Sequence, residues 1–174
     1  MTPIIEISNQ DLDPTTPGFD GNNYTSRTAA RAVLLDESDR VWLMNVSKRS
    51  FYKLPGGGVD EGEDIIQGLQ RELLEEVGCR AQILAELGTT LEYRQHNDGG
   101  LKQTSHCYLA RQIGELSEST LDTAEMDDGM FAIQVEDIDA AIALVESGQP
   151  DSQSGEFMQM RDAAILKAAK EHLA

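Results

Sequence analysis

Apolar and polar residues change rhythm several times along the chain. Arg27 to Leu35 (RTAARAVLL) and Arg40 to Val46 (RVWLMNV) are short apolar runs separated by Asp36-Glu37-Ser38-Asp39. That pattern predicts two strands joined as a hairpin. From Glu61 to Val77 the rhythm becomes helical: Ile66, Leu69, Leu73 and Val77 define one stripe, and Gly78 follows where such a helix closes. Ala81 to Tyr93 and Lys102 to Arg111 read as two more strands. They are joined through Gln95-His96-Asn97-Asp98-Gly99-Gly100, whose Asp-Gly pair is a hairpin signal. Met130 to Val135 predicts a short strand, and Ile138 to Glu146 a helix opened by Glu136-Asp137. Ser154 to Leu173 predicts a last helix with Phe157, Met160, Ala164, Ile165 and Ala168 along one stripe. Leu121 to Gly129 reads as an acidic loop. Leu54-Pro55-Gly56-Gly57-Gly58 reads as an irregular one, since its glycines permit positive φ and close backbone approach.

Residues 1–25 hold Pro3, Pro14, Pro17, Gly18, Gly21 and Asn22-Asn23, so an irregular segment is expected there, with a short edge strand at Ile4 to Ile7. Residues 26–174 read as a single domain. Strands interrupted by helices, without strict alternation, imply an α+β fold. Its form is an α/β/α sandwich, with a mixed sheet between the Glu61–Val77 helix and the last helix.

Composition narrows the function. The 174 residues are 40% apolar, with no run near the roughly 18 apolar residues that a membrane span needs. Met1 to Gln10 carries no basic residue, so a secretory signal is not expected. Against 14 Lys+Arg stand 31 Asp+Glu, a net charge of −17. Binding a nucleic-acid backbone needs clustered cations, so that class is disfavoured. Gln112 to Met160 contains no Lys or Arg, whereas Arg27 to Lys53 holds six against three acidic residues. Cys79 and Cys107 form neither a disulfide framework nor a metal-spacing pattern. Buried small hydrophobes in a reducing, cytoplasmic setting are expected.

The chemistry concentrates in Gly57 to Cys79, GGVDEGEDIIQGLQRELLEEVGC. On a helix Glu72, Glu75 and Glu76 lie at i, i+3 and i+4, so three carboxylates share one face. A solvated acidic face would carry the same residues. A divalent cation reverses their mutual repulsion, and hard oxygen ligands suit Mg²⁺ or Mn²⁺. Arg71 beside them would hold the carboxylates ionised and oriented.

The segment resembles the Nudix box, G-x5-E-x7-R-E-U-x-E-E-x-G-U with U aliphatic. Gly57, Glu63, Arg71, Glu72, Leu73, Glu75, Glu76 and Gly78 fall on it, and Cys79 departs from the last U. At a background of about 7% per residue type, chance agreement is on the order of one in a million. The resemblance implies a Nudix-like fold. It also implies metal-dependent hydrolysis of a nucleoside diphosphate linked to another group, with metal held by the Gly56 carbonyl, Glu72, Glu75 and Glu76. It pairs Glu63 with Arg71, a role that competes with helix capping. It implies a further acid downstream as ligand or base, for which Glu125 stands ahead of Asp127 and Asp128. Tyr52 stands where the family often has Trp. With Phe51 and Trp42 it is a candidate for base stacking. Arg27, Arg31, Lys48, Arg49 and Lys53 are candidates for phosphate.

The expected substrate is a small nucleotide, with no nucleic acid and no membrane as partner. A nucleoside triphosphate or modified nucleotide is favoured by exclusion, because no proline lies between Pro55 and Pro150 where ADP-ribose enzymes usually carry one. A nucleotide sugar, ADP-ribose, or a non-catalytic nucleotide-binding module are the alternatives. Dimers are common in the family.

Overall fold

A computed structural model describes residues 2–18, 23–96 and 99–174. The strands are β1 (Ile5–Ser8), β2 (Tyr24–Leu35), β3 (Val41–Val46), β4 (Phe51–Lys53), β5 (Gly56–Gly58), β6 (Arg80–His96), β7 (Gly99–Ile113) and β8 (Met130–Val135). The helices are α1 (Asn9–Leu12), α2 (Ile65–Glu76), α3 (Thr123–Asp127), α4 (Ile138–Ser147) and α5 (Gln153–Leu173). Among the described residues one mixed sheet runs β1-β6-β7-β2-β3-β4, with β5 on β2 and β8 on β3. β1 lies parallel to β6 and β2 parallel to β7, while the other pairs are antiparallel.

Alternation along the strands sorts side chains to two faces. Ala30, Ala32 and Leu34 of β2 meet Leu69, Leu73 and Val77 at α2. Val33 and Leu35 meet Ala141 and Val145 of α4 and Ile165, Leu166 and Ala169 of α5. The expected sandwich is the one observed.

Several boundaries differ from expectation. The N-terminal segment is not wholly irregular: β1 joins the sheet beside β6, and Ile7 is fully buried. The expected helix from Glu61 begins only at Ile65, because Asp64 caps it by accepting the Gln67 N–H. The acidic loop contains α3. The stripe on α5 is rotated: Phe157, Arg161, Asp162, Ile165, Leu166 and Ala169 are buried, whereas Met160, Ala164 and Ala168 are only partly so. Asn97 and Asp98 of the expected hairpin turn lie outside the described residues, but the strands that flank them pair from His96 with Gly99.

The loop over Leu54–Gly58 is in part a strand. β4 pairs with β3, and three residues later β5 pairs with β2. The chain thus changes neighbours at Leu54-Pro55. Backbone groups there lose their ladder partners and need others. Pro55 has no N–H to satisfy, and its carbonyl accepts from Ala32 N–H at 3.1 Å. The Leu54 N–H donates to the buried Asp162 carboxylate at 2.9 Å. Gly56 has φ +129°, and a Cβ on it would lie 2.2 Å from the Ala30 carbonyl oxygen, so β5 can dock on β2 only with glycine there.

Candidate active site

The partner switch delivers Gly56 to the C-terminal half of α2. The Gly56 N–H donates to Glu76 Oε2 at 2.8 Å, and Lys53 Nζ donates to Glu76 Oε1 at 3.2 Å. Glu76 is almost fully buried. Gly57 passes so close to α2 that a Cβ would lie 2.4 Å from the Glu72 carboxyl carbon. The glycines therefore seat two glutamates against backbone.

Arg71 organises the approach. Its Nε and Nη2 take both oxygens of Glu63 at 2.9 and 3.0 Å. Nη1 donates to Glu72 at 2.9 Å, and Nη2 also donates to the Gly58 carbonyl at 2.9 Å. This is the planar fork expected of a guanidinium between carboxylates. Hydrogen bonds from Arg71 and from the Asp60 amide bring Glu63 down to about 2. Both alternatives for Glu63 meet here: it pairs with Arg71 and accepts a backbone N–H just ahead of the helix, while Asp64 does the capping.

Glu125 arrives from the other side. After β7 the chain follows the end of α2: Ser117 N–H donates to the Gly78 carbonyl and Thr120 N–H to that of Glu75, both at 2.7 Å. Asp122 and Glu125 then exchange hydrogen bonds of 2.8 Å as a capping box that starts α3. The signal Asp122-x-x-Glu125 was present in the sequence. One carboxylate oxygen each from Glu72, Glu76 and Glu125 lie within 4.8 Å of one another. Burial, and then the charge of Glu76, push Glu72 above the usual carboxylate range against the pull of Arg71. Burial also raises Glu125; the Asp122 amide opposes this and the Glu76 charge adds to it. Converging carboxylates held at a cost are a donor set that a divalent cation fits.

The other candidates sort by geometry. Glu75 stands outside the trio, more exposed, with its carboxylate 3.5 Å from Arg71 Nη1. Asp128 is engaged by Arg49 at 2.9 Å, which removes both from the cluster, and Asp127 is exposed. Arg27 is exposed and lies over Gly58, lining a cleft of about 390 Å³ with Asp60, Glu61 and Glu63. Lys53 reaches the cluster. Tyr52 does not: as its neighbour in β4 it faces the opposite side of the sheet, against the core under α4. Trp42 and Phe51 are core residues, and the Trp42 indole N–H donates to Gln112. Arg31 is only 5% exposed, on the α5 side. A cleft of about 480 Å³ between α1 and α5 contains none of the trio.

Sequence reading missed a second charged cluster. Arg161, Asp162 and Glu92 are completely buried beneath α5. Arg161 donates to Asp162 at 2.6 Å and to Glu92 at 3.3 Å, and Arg94 and Gln103 complete the shell of Glu92.

Comparison with known proteins places the chain in a family. The family model described as the NUDIX domain matches residues 25–154. A mutator protein MutT4 of Mycobacterium tuberculosis is 37% identical over 111 residues, 63% of this chain and 40% of that protein. An RNA pyrophosphohydrolase of Francisella tularensis is 33% identical over 79 residues, 45% of this chain and 50% of that protein. The chain therefore matches half or less of the length of these curated relatives. The solved structure of a NUDIX hydrolase from Nitrosomonas europaea superposes with a TM-score of 0.57 at 19% identity, covering 84% of this chain and 91% of the other. No helix among the described residues is long and apolar enough to cross a membrane.

Proposed function

Because the chain belongs to the NUDIX domain family, we propose that it hydrolyses a phosphoanhydride bond in a small nucleotide, a nucleoside triphosphate or modified nucleotide, with Mg²⁺ or Mn²⁺ bound by α2. The observation that carries this reading is the convergence of Glu72, Glu76 and Glu125 on one gap. Glu72, Glu75, Glu76 and the Gly56 carbonyl would hold the metal, which neutralises the diphosphate and polarises its oxygens. Arg71 keeps Glu72 oriented. Glu125 faces the gap from α3, in place to take a proton from the attacking water. Lys53 and Arg27 supply positive charge for the phosphates at the two ends of β4–β5. No covalent nucleophile is needed. Two free, buried cysteines suit a reducing cytoplasm.

A relative's name points to RNA. The net charge of −17 opposes a long strand, which favours a free nucleotide.

The test is phosphate and pyrophosphate release from canonical and oxidised triphosphates, ADP-ribose, nucleotide sugars, dinucleoside polyphosphates and a 5′-triphosphorylated RNA. Each is run with Mg²⁺, Mn²⁺ or chelator, with Glu76→Gln as control. Metal-dependent turnover of a triphosphate that the variant loses is the expected result. Nucleotide binding without turnover of any substrate would replace hydrolysis with a binding function, and preference for RNA would replace the substrate.

A further inference from the structure

Arg31 occupies the middle of β2, and its side chain lies on the face covered by α5. Its Nε and Nη1 are buried without a hydrogen-bond partner, and the guanidinium forms no ion pair among the described residues. The carboxylates around it are engaged elsewhere. Glu92 gives one oxygen to Arg94 and the other to Gln103 and Arg161. Asp162 takes Arg161 and the Leu54 N–H. Glu76 takes Lys53 and Gly56.

Two hydroxyls are in the same state. Ser105 Oγ and Thr90 Oγ1 are buried and unpartnered. Ser105 pairs with Thr90 on one side and with Ala29 on the other, while Arg31 pairs with Cys107. Strand alternation therefore puts Arg31, Ser105 and Thr90 on one face of three adjacent strands. Under α5 that face holds the cations Arg31, Arg94 and Arg161 against the anions Glu92 and Asp162. Burial, and next the charge of Arg161, lower Arg31 to about 10, which still leaves it protonated at neutral pH. Buried donors left unmade are costly, and the carboxylates of Asp162, Glu76 and Glu92 attract Arg31 without pairing with it at contact distance. A water molecule would fill hydrogen bonds there but would leave the charge. The unpartnered atoms are closed to solvent, which disfavours a ligand as bulky as a nucleotide.

We propose that Arg31 Nε and Nη1, together with the hydroxyls of Ser105 and Thr90, bind a small monovalent anion, chloride in ordinary buffers. The site is distinct from the glutamate cluster. It lies on the other face of the sheet, and its arginine shares a backbone pair with Gly56.

The proposal is tested on the full chain by thermal melts at fixed ionic strength, with sodium chloride exchanged for sodium gluconate, and by crystals soaked in sodium bromide. Fixed ionic strength matters because salt alone relieves self-repulsion in a chain of charge −17. At chloride about tenfold above its Kd, Tm should stand about 4 °C higher than in gluconate. An anomalous bromide peak should sit against Arg31 and Ser105. Arg31→Met should lose the chloride effect. Ser105→Asp, which supplies a resident carboxylate, should lose it too while melting no lower than wild type in gluconate. If Arg31→Met does not fold, the bromide peak in wild type decides. Equal Tm in the two salts, or water alone at Arg31 in the bromide crystals, overturns the proposal.

Discussion

The carboxylate of Asp162, in the middle of α5, accepts the backbone N–H of Leu54 across 108 positions of sequence. Leu54 is two residues from Gly56, whose own N–H is held by Glu76 from the opposite side of the sheet. The stretch that carries the glycines is thus fixed from α5 and from α2 together.

Removing Asp162 should therefore be costly. Asp162→Ala leaves the Leu54 N–H without an acceptor and Arg161 with Glu92 alone, and breaking a buried pair of this kind destabilises by about 3–5 kcal/mol. Asp162→Asn keeps an oxygen for Leu54 and should lose less. Urea unfolding of the two variants checks the order; equal losses would mean that the Leu54 bond carries no weight.

Glu76→Gln should lower kcat on the order of a hundredfold or more, since it removes the charge at the centre of the proposed metal site. The amide still offers an oxygen to Gly56 but turns its NH2 toward Lys53, so a fall in melting temperature should accompany the loss of activity while the fold persists. Turnover near wild type would remove Glu76 from the metal site.

Glu125→Gln separates charge from capping. Glutamine serves a capping box as glutamate does, so α3 should persist and Tm should hold. Loss of a general base should cost roughly 10²–10⁴ in kcat with a smaller change in KM. An unchanged kcat would leave activation of water to the metal itself.

Acid should act on the buried cluster. Burial by itself would raise Glu92, but Arg161 and then Arg94 outweigh it and bring the carboxyl from 4.5 down to about 2. The folded value lies below the unfolded one. Its stabilisation is therefore complete above about pH 4.5 and fades as pH falls toward 2, by about 3 kcal/mol in all. Glu92→Gln should be less stable at neutral pH and should show a shallower loss between pH 4.5 and 2. Parallel pH curves in urea melts would exclude Glu92 as the source.

Much of this was legible beforehand because its causes are local. The α2 stripe, the hairpin of β2 and β3, and the Gly57–Gly78 spacing each depend on neighbours a few residues apart. Glu63 and Arg71 face each other for the same reason. What escaped depends on partners far along the chain. Arg161 and Asp162 interrupt the apolar rhythm of α5, so periodicity alone turned the buried face toward Met160 and Ala164. Their acceptors and donors, Glu92 and Leu54, belong to other elements. Tyr52 lies away from the glutamate cluster because alternation in β4 gives only one of Tyr52 and Lys53 to the α2 side, and Lys53 takes it. Three glycines in a row read as a loop because glycine has low strand preference, yet the absence of side chains is what lets β5 touch both β2 and α2.

The double allegiance of residues 51–58 limits how the chain can vary in length. Between Lys53 and Gly56 lie only Leu54 and Pro55, and each flanking strand is locked to a different neighbour. One inserted or deleted residue there would slide β5 along β2 and reverse which way its residues face. It would also carry the Gly56 amide away from Glu76. The Asp36–Asp39 turn joins β2 to β3 without such a double lock, so insertions tolerated by this fold should accumulate there.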